Sequence, residues 1–492
     1  MTAEGPLIAA LKAAARWDHA PFYTPGHRRG VGLPAALKPL LGAAAAYDFP
    51  ELPTIGNLAA EEGAICDSAP IAAAQTLAAQ TFGAERTWFL VNGSSGGLLA
   101  AILATCGEGG KIILPRNVHS SIINGLILAG AWPVFIHPAY GAEQDLAYGM
   151  TAAAVAEALA THPDVRAVLV VYPTYHGICT DLAAIAEVVH GHGIPLLVDE
   201  AHGPHFAFHP DLPPSALSLG ADLVVQSTHK VLGALSQAAM LHGQGDRLHW
   251  PRLAQCIAMV QSTSPNSLLL ASLDGARQQM ATAGRELMAQ TLALAQWARQ
   301  ELAQIPHVTL LETPSTPQSG FRYFDPTRLT VLVAGLGRDG FDLDEELMAR
   351  GVMAELPLER HLMFIVTLGS CQQDLDRLVA VFRVLSQETT GPLPTLPPQA
   401  LPPLPPLLLS PRAATFAPRR AVPLDAAVGE ASGALICAYP PGIPVFMPGE
   451  MITEEAIAYL QTLKRLGAQL LGLSDPTLAT LSVIDQLSRL PH

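Results

Sequence analysis

The sequence predicts an α/β protein built on a mostly parallel sheet, and three observations predict it. From about residue 87, short apolar runs (TWFLV, KIIL, PVFI, AVLVVY, PLLVD, DLVVQ) alternate with helical stretches such as AAAVAEALATH and DLAAIAEVVHGHG. Strands alternating with helices of this length form βαβ units, whose buried strands read as continuous apolar runs. The chain is also long: its 492 residues, half hydrophobic and 14% charged, exceed a single core. Finally, its composition shifts along its length, which marks further domains.

Taken in order, residues 1–80 form an N-terminal segment. Its opening, MTAEGPLIAALKAAARW, is amphipathic and carries Glu4 and Lys12, unlike a signal peptide or an anchor. A large domain over 81–304 holds the βαβ pattern and closes with an alanine- and leucine-rich helix from about 268. Within it, residues 117–142 contain no Asp, Glu, Lys or Arg. Ser120, Ser121, Asn124, Gly125, Gly130, Pro133 and His137 nevertheless make it helix, turn and strand rather than a membrane span. A smaller α/β domain follows at 305–388. The proline-dense linker at 389–412, including GPLPTLPPQALPPLPPLLLSP, cannot enter a helix or sheet interior. A C-terminal α+β domain at 413–492 contains strand-like ALICAY and IPVFM and the helix EEAIAYLQTLKRLG.

A net charge of −14 without a lysine and arginine block disfavours nucleic acid or an anionic membrane as partner. The six cysteines, Cys66, Cys106, Cys179, Cys256, Cys371 and Cys437, include no CxxC pair, so reduced thiols in a cytoplasmic protein are expected.

Ligands of such sheets bind beyond the carboxyl ends of the strands, so polar residues that follow apolar runs carry the functional expectation. VDEAHGPHFAFHP (198–210) follows one such run and places His202, His205 and His209 near two carboxylates. It lacks any known metal-ligand motif, and its Gly203, Pro204 and Pro210 oppose a continuous helix, so a metal site is not expected. FLVNGSSGGLLAAIL sets a glycine- and hydroxyl-rich turn, Gly93 to Gly97, between a strand and a helix. Backbone N–H groups there, with Ser94 and Ser95, make a phosphate cradle that has neither the nucleotide nor the dinucleotide signature. Asp199 ends PLLVD, where a carboxylate suits a pyridine nitrogen. Of five lysines, Lys12, Lys38, Lys111 and Lys464 read as solvated, whereas Lys230 follows DLVVQ among small residues. A lysine in a low-polarity cleft is a usable amine nucleophile. Cradle, acid and amine together fit pyridoxal 5′-phosphate.

With these segments the chain resembles the Orn/Lys/Arg decarboxylase family of pyridoxal phosphate enzymes. The resemblance rests on FYTPGHRRG, NGSSGG, NVHSS, PTYHGICTDL, VDEAHG, QSTHK and YPPGIPVFMPGE, in that order along nearly the whole chain. It implies an aspartate aminotransferase-like fold (fold type I), with 81–304 as the cofactor-binding domain. It implies that Lys230 carries the cofactor in Schiff-base linkage, that Asp199 pairs with the pyridine nitrogen and that His119 stacks on the ring. Ser94, Ser95, Gly96, Ser227 and His229 hold the phosphate, and His202 flanks the ring. His205 and His209 receive no role. Glu355, in GVMAELPLERHLMFIVTLG, is placed on the distal cation of the substrate. The implied reaction is decarboxylation of lysine or arginine, less so ornithine, to an amine and CO2, with Lys230 or His229 as the proton donor. Aminotransfer, aldol cleavage and a non-catalytic regulatory role are the competing readings. Without the receiver-like N-terminal domain of the long family members, a homodimer or dimer of dimers is expected.

Overall fold

The structure, a computed structural model, describes residues 4–16, 24–46, 69–141, 144, 146–314, 319–389, 391, 401–439, 444–465 and 469–485. It divides into two compact units: Met1–Thr105 with Pro195–Ala289, and Cys106–Ile194 with Gln290–His492. Cys66 and residues 440–443 of YPPGIPVFMPGE lie outside the described residues.

Among the described residues, seven strands of four or more residues lie between residues 86 and 243: β1 (Arg86–Leu90), β2 (Lys111–Pro115), β3 (Trp132–Ile136), β4 (Val165–Val171), β5 (Leu196–Asp199), β6 (Leu223–Gln226) and β7 (Ala239–Gly243). Six fall on the six apolar runs. In the first unit the order is β1-β7-β6-β5. β5 and β6 are parallel, with Leu197 opposite Leu223, whereas β7 runs antiparallel to both β6 and β1. β7 is the strand the sequence did not announce. The connection from β6 to β7 carries only the one-turn helix Thr228–Val231, too little for a crossover, so the chain returns antiparallel.

In the second unit β2 lies between β4 and β3 and is parallel to both. Strands β8 (Thr309–Leu310), β9 (Arg328–Leu332), β10 (Leu356–Pro357) and β11 (His361–Ile365) form an antiparallel sheet in the order β8-β9-β11-β10. Its core joins Leu329, Val331, Leu362 and Phe364 to Leu378 and Phe382 of the helix Gln372–Gln387. Apolar residues of that helix recur at three and four, which puts them on one stripe facing the sheet. A separate core of Ile436, Phe446, Leu460 and Val483 lies in the C-terminal part, under the helix Glu454–Arg465. Within the proline-rich stretch, residues 401–410 form one isolated bridge, Leu407 to Glu450, and bury Leu409; His137 Nε2–H donates to the Pro402 carbonyl at 3.0 Å.

Candidate active site

In the first unit, β1 ends at Leu90 and Gly93 takes a left-handed φ of 69°, after which the chain is helical. The expected turn over Gly93–Gly97 is therefore a correction: these residues are the first turn of helix α1 (Gly93–Thr105). The reason is packing. A Cβ on Gly97 would sit 2.7 Å from Leu90 Cδ1 and 2.8 Å from Val225 Cγ1, so glycine lets the helix start directly against β1 and β6. The helix thus offers its first, intrahelically unpartnered N–H groups beside Ser94, Ser95 and Gly96. The Ser227 hydroxyl, one residue past β6, donates to Ser94 Oγ at 2.8 Å. Next to it, Thr228 Oγ1 is buried and without a hydrogen-bond partner among the described residues.

Lys230 lies in the same one-turn helix, half-buried, with its Nζ 2.8 Å from His202 Nε2. His229 Nδ1–H donates to the Ala238 carbonyl at 2.9 Å. Asp199 closes β5, is buried, and accepts from the Ala201 N–H at 3.2 Å. Beside it, the fully buried Glu200 accepts from Ala216 N–H and Gln226 Nε2, both at 2.7 Å. Gln226 Oε1 accepts from His242 Nε2–H at 3.0 Å, and His242 Nδ1 accepts from the Thr87 hydroxyl at 2.8 Å. This chain of bonds crosses β5, β6, β7 and β1 and fixes the strand ends that present Asp199 and Ser227. Burial pushes the Glu200 carboxyl up to about 8 against the pull of its two donors, and pushes His242 down to about 3. His205 is buried against the Phe206 ring, and His209 Nδ1 accepts from Asp211 N–H.

Two expected site residues belong to the second unit. His119 is exposed and caps helix α2 (Ser120–Ala129), its Nδ1 accepting from Ser121 N–H at 3.2 Å, which fixes the ring. Three residues earlier, Arg116 is buried against Glu450: its Nη1 donates to Oε1 at 2.5 Å and its Nη2 to Oε2 at 2.7 Å. Glu355 is exposed just before β10 and accepts a hydrogen bond from the Tyr175 hydroxyl. Behind them, Arg328 is wholly buried and pairs with Asp325 at 3.4 Å. The sequence reading did not find Thr228, Tyr175, Glu200 or the Arg116–Glu450 pair. Each stands inside or beside a quoted motif, and adjacency to it was the available signal.

The family model described as Orn/Lys/Arg decarboxylase, major domain, matches residues 5–374, and its C-terminal domain matches 410–477. The chain belongs to the Orn/Lys/Arg decarboxylase family. Among its relatives, an arginine decarboxylase of Bacillus subtilis is 37% identical over 487 residues, covering 98% of both chains. One of Halalkalibacterium halodurans is 37% identical over 485 residues, again covering 98% of each. The crystal structure of the Francisella novicida lysine decarboxylase superposes with a TM-score of 0.82 at 21% identity, over 98% of this chain and 81% of that one. The expected fold, that of fold type I pyridoxal phosphate enzymes, is the fold found.

Membership in this decarboxylase family carries pyridoxal 5′-phosphate with it. The first unit fits that group. A helix N-terminus with four hydroxyls near it, that of Thr228 buried and unpartnered among the described residues, suits a phosphate, while a buried carboxylate ends β5 and a half-buried amine follows β6.

Proposed function

We propose that this chain decarboxylates L-arginine to agmatine and CO2, with L-lysine as the second candidate substrate. The observation that carries the reaction is Lys230: an amine just past a strand end, held by an imidazole, in the unit that also carries Asp199 and the hydroxyl-lined helix start. Arginine stands first because arginine decarboxylases match at 37% identity over 98% of the chain, whereas lysine decarboxylases match at 30% over 61% of it (Pseudomonas aeruginosa) or at 26% over 95% (Escherichia coli).

The chain's own groups divide the work. Ser94, Ser95, Gly96, Ser227 and His229 would bind the cofactor phosphate, and the N–H groups of the α1 start would add a positive dipole end. Asp199 would hold a proton at the pyridine nitrogen, and His119 and His202 would contact the ring. When bound, pyridoxal phosphate supplies the electron sink for the pair left behind as CO2 departs. Lys230 Nζ, hydrogen-bonded to His202 Nε2, is the favoured proton donor to the substrate carbon; His229 keeps its Nδ1 on a backbone carbonyl and has only Nε2 to offer. Glu355 meets the distal cation.

In the same reading, residues 81–304 form the cofactor-binding domain, 305–388 the small domain and 413–492 the C-terminal domain, and the enzyme works in the cytoplasm as a homodimer or dimer of dimers. Among the described residues no helix is long and apolar enough to cross a membrane. The test is direct. Protein loaded with pyridoxal phosphate should absorb at the visible edge, and Lys230→Ala should lose that band and all CO2 release. Arginine should yield agmatine faster than lysine yields cadaverine. A colourless loaded protein, or a keto acid instead of an amine, refutes the proposal.

A further inference from the structure

The geometry points to Tyr175 as the residue that positions Glu355 for the distal cation of the substrate. This rests on the reading of Glu355 as that cation's partner. Glu355 is exposed, and its backbone N–H is tied to the Met363 carbonyl at 2.9 Å beside edge strand β10. Its carboxylate, however, sits on a side chain with three rotatable bonds. An exposed glutamate of that kind samples many rotamers, and a substrate that must select one binds more weakly. The Tyr175 hydroxyl removes that freedom by donating to Oε1, which leaves Oε2 and the remaining lone pairs for a guanidinium or ammonium.

Tyr175 is itself firmly placed. The turn that carries it is closed by Gly177 N–H to the Thr174 carbonyl at 2.9 Å and by Ile178 N–H to Thr174 Oγ1 at 3.2 Å. Gly177 has φ 84°, and a Cβ there would stand 2.7 Å from Arg328 Cγ, so the turn rests on the buried arginine. The Arg328 guanidinium also interacts electrostatically with Tyr175 and Glu355, in addition to its Asp325 partner. A rigid turn on a buried cation therefore holds the phenol, and the phenol holds the carboxylate.

The test is a double-mutant cycle of Tyr175→Phe and Glu355→Gln in the holoenzyme, read by CO2 release and by calorimetric binding of agmatine. Losing one charge-assisted hydrogen bond should raise KM for arginine about three- to tenfold and weaken agmatine binding equally, with kcat within about twofold. In the Glu355→Gln background, Tyr175→Phe should add nothing. Glu355→Asp, one methylene short of the phenol, should likewise lose sensitivity to Tyr175→Phe. Slow turnover of neutral norleucine should be the same in wild type and Tyr175→Phe. Additive effects, an unchanged KM, or an equal loss on norleucine would overturn the role of Tyr175 while leaving the decarboxylase reading intact. A wild type that turns over arginine and lysine no faster than norleucine would instead bring down the Glu355 reading, and Tyr175 with it.

Discussion

Glu450→Gln should destabilise the second unit far more than an ordinary surface change, because it breaks a buried ion pair from one side only. Arg116 and Glu450 are each 1% exposed. The guanidinium spends its other donors on the carbonyls of Pro444 and Val445, at 2.8 and 3.1 Å, and the carboxylate also accepts Met447 N–H at 2.7 Å. A glutamine that keeps Oε1 on Nη1 turns its amide N–H group toward Nη2 and the Met447 N–H. Two acceptor contacts become donor-to-donor contacts, and a full positive charge stays buried without its counter-ion. Removing one partner of a buried pair costs about 3–5 kcal/mol. With a urea dependence of about 1–3 kcal/mol per molar, the midpoint should fall by roughly 1–5 M. Urea titrations followed by circular dichroism measure this, and His119 gives a local readout because it lies three residues from Arg116. A loss of unfolding free energy below about 1 kcal/mol would refute the reasoning, since it would mean that water or relaxation replaces the carboxylate.

Two further outcomes follow from burial and packing. Burial holds His242 and His176 down to about 3, so the unfolded chain takes up their protons first and stability falls as pH drops below 6.5. Glu200, raised to about 8, keeps its proton in the folded state above its usual 4.5, so its contribution falls as pH rises toward 8. Thermal melts should therefore peak near pH 6.5, and Glu200→Gln should flatten the alkaline arm, whose slope is at most about 1.4 kcal/mol per pH unit; an unchanged arm would count against it. Gly97→Val should push α1 off β6, costing about 1–3 kcal/mol and loosening pyridoxal phosphate in dialysis. Gly191→Ala, with open space around the new Cβ, should retain the cofactor as wild type does.

The parallel strands were legible because each is an apolar run long enough to be buried on both faces, and the proposed site residue Asp199 ends one of them. Asp199 and Lys230 stood out in the sequence because a charge at or just past the end of such a run has few structural reasons to be there; the structure ends β5 at Asp199 and carries Lys230 in the one-turn helix after β6. β7 could not, because AMLHG is as apolar as its parallel neighbours and direction is set by the short connection before it. The glycines of NGSSGG were expected to form a turn and instead open a helix; only the neighbours of Gly97 show that glycine there serves helix packing. Tyr175 and Glu355 are 180 residues apart, and Arg116 and Glu450 are 334 apart. No local pattern links such pairs, since their meeting depends on how strands and turns pack.

The Ser227–Ser94 bond joins residues 133 positions apart. A ribosome adding about 5–20 residues per second needs roughly 7–27 s to make the intervening chain. Throughout that interval the nascent protein displays a helix start without its opposite wall. If these hydroxyls hold the phosphate as proposed, capture of pyridoxal phosphate cannot precede the synthesis of Ser227, and the coloured fraction of newly made protein reports how much has completed this long-range closure rather than how much has been translated.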